Sequence, residues 1–274
     1  MKKIIWFAMV SMVVLLGACS SEGKETSNDS KKEVIQSIQD SGKLVVGTSA
    51  DFAPFEFHTM IDGKDKIVGV DIDLANEIAK ELGVKVEVMD MEFNAVLAAL
   101  QQGKVNLAIS GISATEERQQ TFDFSDNYFA PPQKMVINKE NVNELTSLKS
   151  FAKKKVGAQK GSVQEDVVKE QVADAQLVSV AKVPNLIIEL KQGSIDGLVL
   201  EETVANSYIE NNPELMLADV DLVSSDEEAY AIALPKGEEE LQKKVNQVIK
   251  ELQSSGKMDE FIKKNTELAK KAEK

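Results

Sequence analysis

Two stretches constrain the fold of this chain more than anything else in it. "VLAALQQGKVNLAIS" (96–110) and "LIIELKQGSIDGLVL" (186–200) align without a gap at an offset of 90. Leu100 matches Leu190, Gln102 matches Gln192 and Gly103 matches Gly193, while Val105, Asn106 and Ile109 meet Ile195, Asp196 and Val199. Each stretch reads as a helix, a glycine that ends it, and a strand. A helix turning through glycine into a strand is half of a β-α-β unit, so two copies point to two similar α/β lobes. Short units of this kind also arise by chance, so the two lobes need support from the rest of the chain.

That support comes from the alternation around them. "KLVVGTS" (43–49) is a buried-strand run, and "DLANEIAKELG" (73–83) is an amphipathic helix with Asp71 or Asp73 as its expected N-cap and Gly83 as its C-cap. "VKVEVMDM" (84–91) is a strand, "NAVLAALQQG" (94–103) a helix and "VNLAISG" (105–111) a strand. Residues 59–66 read as a polar loop beside an exposed His58. Strands separated by helices of this length imply a parallel sheet. The chain has 274 residues, 43% of them apolar, enough for one large domain or two modest ones.

Two extended runs, "QKMVINK" (133–139) and "AYAIALP" (229–235), bracket the second unit. If the chain leaves the first lobe at one and returns at the other, there are two crossings and one cleft. The expected division is 37–131 plus 229–274 for the first lobe and 132–228 for the second, with crossings at 131–135 and 229–233. Helices are expected over 238–252 and 258–270.

The N-terminus speaks to compartment. Lys2 and Lys3 precede an apolar run at 4–16, which is shorter than the ~20 residues of a membrane span. "LGAC" follows, ending in Cys19, the only cysteine of the chain. This reads as a lipoprotein signal over 1–18, with Cys19 as the lipidated residue of an extracytoplasmic, membrane-anchored protein. An ordinary signal peptide that happens to hold a cysteine is the alternative. Residues 19–36 read as a flexible tether reaching roughly 20–25 Å. With Cys19 taken by lipid, disulfides and thiol catalysis are excluded.

Other classes fall away on composition. The net charge of −13 disfavours nucleic acid, whose phosphates want a basic face. One histidine, His58, and no second cysteine leave no zinc site, and no metal or cofactor is expected. "GVDIDL" (69–74) reads as helix capping in preference to metal binding.

In open α/β sheets ligands bind beyond the carboxyl ends of the strands, here Ser49, Ser110 and Glu201. After the first strand, "TSADFAPFEF" (48–57) holds Phe52, Phe55 and Phe57, at least one of them core. Phe93 follows "VEVMDME", and Ser110, Gly111, Ser113 and Arg118 follow "NLAI". Arg118 is the only arginine of the chain. Its planar fork matches a carboxylate bidentately, which lysine cannot do. The backbone of "GSVQ" (161–164), at a helix start, is placed to share that carboxylate. Glu201 is placed to accept from an ammonium. A carboxylate and an ammonium held on opposite walls describe an α-amino acid. The plainer alternatives are an Arg118 paired with Glu117 on a surface helix, and Glu201–Glu202 as a solvated helix start.

These stretches, with "GVDIDLANEIAKELG", "FNAVLAALQQGKVNLAISGISATEERQQTFDFSDNY", "QGSIDGLVLEET" and "AIALPKG", resemble the polar amino-acid substrate-binding proteins of ABC importers. The resemblance runs from about residue 43 to about 265. It implies a two-lobed periplasmic-binding-protein-like fold of type II with a two-strand hinge, no enzymatic activity, and a membrane permease and ATPase as partners; a monomer is the plain expectation, although the sequence does not set the oligomeric state. It also implies that Arg118 holds the ligand carboxylate, helped by backbone near Ser113 and Val163. Glu201, where Asp is common, holds the ammonium with Ser110 or Gly111 and with Ser113, and Phe52 and Phe93 sandwich the side chain. Lysine-binding relatives often carry Asp at Ser49, so Ser49 weakens a lysine reading. Gln159 and Gln164 suit a guanidinium or an amide, and two aromatic faces suit a guanidinium. Arginine ranks first, other basic amino acids including histidine second, and glutamine third. Two rivals remain: a dehydratase-like enzyme using Glu201 or Glu56 as acid or base, and a module for sensing or adhesion.

Overall fold

The computed structural model describes residues 30–272. Cys19, the signal stretch 1–18 and the tether up to residue 29 lie outside the described residues. Residues 30–36, expected as the end of the tether, instead begin a helix, α1 (Ser30–Ser41). Val34, Ile35 and Ile38 share one side of it, and Ile38 is buried while Val34 and Ile35 pack against the core. That apolar stripe is what turns the segment from linker into structure.

The chain continues through β1 (Lys43–Thr48), β2 (Asp51–Phe52), β3 (Glu56–Ile61), β4 (Lys64–Val68), α2 (Val70–Leu82) and β5 (Lys85–Asp90). Then come α3 (Phe93–Gln101), β6 (Leu107–Ala108), α4 (Glu116–Gln119) and β7 (Phe122–Phe124). The second half holds β8 (Gln133–Asn138), β9 (Lys155–Gln159), α5 (Gln164–Gln171), β10 (Gln176–Val180), α6 (Val183–Lys191), β11 (Gly197–Glu201), α7 (Glu202–Asn211) and β12 (Leu215–Leu217). β13 (Ala233–Pro235), α8 (Glu239–Ser254) and α9 (Lys257–Ala272) close the chain.

Two five-stranded sheets result, in the orders β5-β1-β6-β13-β7 and β10-β9-β11-β8-β12. In the first, β1 runs parallel to β5 and β6, and β13 is antiparallel to β6 and β7. In the second, β9 runs parallel to β10 and β11, and β8 is antiparallel to β11 and β12. The plan is the same in both, with α3–β6 standing where α6–β11 stands. The repeat in the sequence is therefore a structural one. Gly103 and Gly193, with φ of 67° and 70°, make the same left-handed exit from the two helices.

The strand exchanged between lobes is what creates two connections. The first runs between Phe124 and Gln133, earlier than the expected 131–135, because Gln133 already pairs with Glu201 in β8. The second ends at β13. The two connections pair through Tyr230, which donates its backbone N–H to the Phe129 carbonyl (2.7 Å) and accepts from Tyr128 N–H (2.9 Å). Phe55, Tyr128, Phe129 and Tyr230 pack around this pairing. One apolar cluster runs unbroken from Leu44 and Leu74 through Phe55 and Tyr230 to Leu198 and Val204.

Residues 59–66 are not a loop. β3 and β4 form a hairpin that turns at Asp62 and Gly63, with φ of 53° and 71°. Positive φ at both central residues is the two-residue hairpin turn that Asp-Gly favours.

The start of α2 also departs from expectation. Neither Asp71 nor Asp73 caps it: the N-cap is Gly69, with φ 138° and no side-chain bond. The first helical N–H groups are taken instead by the backbone of the preceding turn, Val70 donating to Pro54 O (3.1 Å) and Asp71 to Phe55 O (3.0 Å). A methyl on Gly69 would sit 1.9 Å from that Phe55 oxygen. We therefore expect Gly69→Ala to cost roughly 2–4 kcal/mol, read as a fall in Tm of about 5–15 °C. A melting temperature equal to that of the unsubstituted protein would contradict this account of the turn.

Candidate functional site

Relieved of capping, Asp71 turns inward. It is fully buried and accepts from the Gly111 backbone N–H (2.9 Å) and the Tyr128 hydroxyl (2.9 Å and 3.0 Å to its two oxygens). Gly111 is the residue after β6 and Ser110, so Asp71 pins the loop that carries Ser110 and Ser113. Burial pushes its carboxyl up to about 6, and the two donors hold it from going higher.

Between the lobes lies a narrow cavity, lined by Ser49, Phe52, Glu56, Phe93, Ser110 and Gly111 from the first lobe. Gln159, Ser162, Gln164 and Glu201 line it from the second. Both sheets thus present the carboxyl ends of their central parallel strands to one space: β1 at Ser49, β6 at Ser110, β9 at Gln159 and β11 at Glu201.

Two buried carboxylates face it. Glu201, 2% exposed, ends β11 and accepts from Gln164 Nε2 (2.7 Å) through Oε1, while Oε2 has no hydrogen-bond partner. It is not a solvated helix start. Burial pushes its carboxyl up to about 7, opposed by nearby donors, and the Glu228 charge adds to the rise. The Tyr230 hydroxyl stands near without closing a hydrogen bond. The second carboxylate is Glu56, 0% exposed, which accepts from the Ser110 hydroxyl (2.6 Å) through Oε1 and again leaves Oε2 unpaired. Burial, and next the neighbouring Asp71 charge, raise it well above the usual carboxylate range.

Sequence reasoning raised Glu56 only as an enzymatic acid or base and passed over Ser162. Glu56 lies between Phe55 and Phe57 in "FEF", a strand pattern that gives no hint of a buried carboxylate, since glutamate is rarely interior unless paired.

Phe52 and Phe93 both line the cavity, and Phe55 is fully buried core. Arg118, Ser113 and Val163 stand outside the lining. Ser113 is buried and its hydroxyl donates to Glu228 O (3.1 Å). Val163 is the N-cap of α5. Arg118 is half-buried at the rim, with its guanidinium carbon 5.9 Å from the centre of the Phe93 ring. It does not hydrogen-bond Glu117. One amine donates to Ser113 O (2.8 Å) in the first lobe and the other to Gly161 O (3.0 Å) in the second. It is therefore a bridge across the cleft. The lobes also meet where Tyr208 Oη donates to Asp51 O (2.8 Å) and where Lys270 pairs with Glu210 (3.2 Å).

Outside the cleft, His58 is exposed as expected and pairs with Asp65 (2.9 Å) and Asp90 (3.2 Å). Among the described residues there is no cluster of ligands that would hold a metal ion. No helix among them is long and apolar enough to cross a membrane.

A two-lobed α/β fold with a polar cavity between its lobes is the architecture of a solute receptor. Residues 44–267 match the family model of the bacterial extracellular solute-binding proteins, family 3, and the chain belongs to that family. It is 33% identical over 267 residues to the arginine-binding extracellular protein ArtP of Bacillus subtilis, covering 96% of this chain and 98% of that one. It is 31% identical over 272 residues to the glutamine-binding ABC transporter protein GlnH of the same organism, covering 96% and 97%. Among solved structures, a substrate-binding protein of an amino acid ABC transporter from Streptococcus pneumoniae, bound to L-arginine, superposes with a TM-score of 0.82. It is 44% identical, and the match covers 85% of this chain and 98% of that one.

Proposed function

We propose that this protein is a receptor for a basic L-amino acid, arginine first, which closes on its ligand and delivers it to a membrane permease driven by an ATPase. The observation that carries this reading is Glu56. A neutral side chain needs one buried carboxylate in the cavity, to meet the ammonium common to all amino acids. This cavity has two, each with an unpaired oxygen, and an arginine carries two cationic groups to match them.

In this reading Glu201 Oε2 takes the α-ammonium. Arg118 swings its fork from the Ser113 and Gly161 carbonyls to the α-carboxylate, with backbone at Ser113 and Val163 assisting. The side chain runs between Phe52 and Phe93 toward Glu56, Ser49, Ser110 and Gln159. Closure is a rotation about the paired connections at Phe129 and Tyr230, and Arg118 and Asp51 become contacts of the closed form. The receptor acts as a monomer outside the cytoplasm, held to the membrane by lipid on Cys19. A second reading, glutamine, draws on Gln159 and Gln164 in the wall and on the similarity to a glutamine-binding relative. A thermal-shift screen of the purified protein against the twenty amino acids separates the two. A ligand at 100 times its Kd stabilises by about 2.7 kcal/mol. The basic reading expects a rise with arginine above that with glutamine, and a rise with glutamine alone would overturn it.

The carboxylates also set a pH dependence. In the free protein Glu201 is held at about 7 and Glu56 is raised as well. A bound cation favours their charged forms, so binding near neutrality releases protons. Affinity for arginine is then expected to fall as pH drops from about 8 to about 5.5, by up to about tenfold per unit for each proton released. Calorimetry in buffers of different ionisation enthalpy counts those protons, and a flat profile would contradict the assignment. The free protein runs the opposite way. A carboxyl raised in the folded state stabilises below its ordinary value of 4.5, and that contribution is lost as pH rises through about 7.

A further inference from the structure

Behind the cavity wall sits a fourth buried carboxylate, Asp51 on β2, 8% exposed. Its Oδ1 lies 3.4 Å from the Ser49 hydroxyl and 3.4 Å from Gln159 Nε2, which reaches it from the other lobe. The same Gln159 Nε2 also faces the Ala181 carbonyl at 3.3 Å. These distances are long for hydrogen bonds, and the chemistry of the partners matters more than the lengths. A carboxylate and a carbonyl only accept, so the amide of Gln159 has one sensible orientation, with its NH2 turned to both. Its oxygen is what remains. By the same logic the Ser49 hydroxyl spends its hydrogen on Asp51, and the Ser110 hydroxyl spends its own on Glu56. Ser49 and Gln159 line the cavity, and Asp51 stands behind them.

We propose that Asp51 is a specificity-positioning residue: from behind the wall it fixes Ser49 and Gln159 as hydrogen-bond acceptors, so that the cavity admits only a side chain that ends in donors. This rests on the reading of the site as a receptor for basic amino acids and sharpens it. With Glu56 and Ser110 beside them, the wall offers oxygen lone pairs throughout. A guanidinium or an ammonium presents only N–H groups and fits. A ureido or carboxamide end brings a carbonyl oxygen against acceptors that cannot turn, and is rejected for leaving those groups unpaired. Asp51 touches no ligand in this scheme. It acts through the orientation of two neighbours, one on each lobe, and its effect is complete only when the cleft is shut.

The test compares arginine with its neutral isostere citrulline, by calorimetry on the purified protein and its Asp51→Asn variant. The substituted amide carries a donor, so Gln159 is free to turn its own amide and Ser49 to turn its hydroxyl. The wild type is expected to prefer arginine by about fiftyfold or more, and the variant to shrink that ratio at least about tenfold, with citrulline holding or gaining affinity as arginine loses it. If Asp51→Asn weakens both ligands by the same factor, Asp51 only ties the lobes together and the proposal fails. Should Asp51→Asn not fold, Gln159→Leu decides: a smaller arginine preference supports the oriented amide, and an unchanged preference overturns it. A wild type that binds neither arginine nor lysine removes the underlying reading itself, which is a different failure from an unaltered ratio in the variant.

Discussion

Glu56→Gln is expected to weaken arginine binding by about 2–5 kcal/mol, some thirtyfold to several thousandfold, while glutamine binding changes little. The substitution keeps the size of the side chain and a partner for Ser110, whose hydroxyl donates to the carboxylate at 2.6 Å and is expected to donate to the amide oxygen in its place. What it removes is the charge that the Glu56 carboxylate, a lining residue of the cavity whose Oε2 has no hydrogen-bond partner, would carry against a bound cation. Leaving a desolvated guanidinium without its counter-charge costs far more than losing a neutral hydrogen bond. It also removes the repulsion between Glu56 and Asp71, so the free protein is expected to melt no lower than the wild type. Calorimetric titration with arginine and glutamine reads the effect. A parallel loss for both ligands would mean that Glu56 shapes the floor of the cavity without reading the side chain.

Arg118→Lys is expected to act on every ligand alike. The guanidinium spans the two lobes through Ser113 O and Gly161 O, and it faces Phe93. An ammonium is a point charge and cannot grip a carboxylate with two parallel N–H bonds while replacing those contacts. A loss of roughly 1.5–3 kcal/mol, about tenfold to a hundredfold, is expected for arginine and glutamine together, because both carry the same α-carboxylate. The contrast between a selective effect at Glu56 and a uniform one at Arg118 separates the side-chain end of the cavity from the end that holds the common groups. Normal binding by the lysine variant would make Arg118 a strut between lobes and place the carboxylate elsewhere.

Much of the architecture could be read from local pattern. The repeated helix–glycine–strand unit needs only periodicity and a left-handed residue at Gly103 and Gly193, both of which are local properties. The strand ends then converge because parallel sheets place their carboxyl edges together, which brings Ser49, Ser110, Gln159 and Glu201 to one cavity. What escaped depended on partners far along the chain. Asp71 looks like a helix cap because aspartate in a first turn usually serves the helix, and its real partner, Gly111, is forty residues away. The true cap is supplied by Pro54 and Phe55 carbonyls, which no propensity reveals. The β3–β4 hairpin was hidden by its polar residues, although Asp62-Gly63 was a legible turn signal. Residues 30–36 continue the polar composition of the tether, yet Val34 and Ile35 bind them to the core as part of α1. Glu56 reads from sequence only as an enzymatic acid or base, and Asp51 not at all. Glu56 is buried beside Ser110, and Asp51 beside Gln159 and Tyr208 of the other lobe, partners that no short window of sequence contains.

The most direct measurement is a calorimetric titration of the purified protein with L-arginine and, separately, with L-glutamine at neutral pH. A single site for arginine is expected, micromolar or tighter, near −8 kcal/mol or better, with protons released on binding and glutamine at least about tenfold weaker. Tight glutamine binding with no response to arginine would contradict it, and would leave Glu56 as a buried carboxyl that reads no cation.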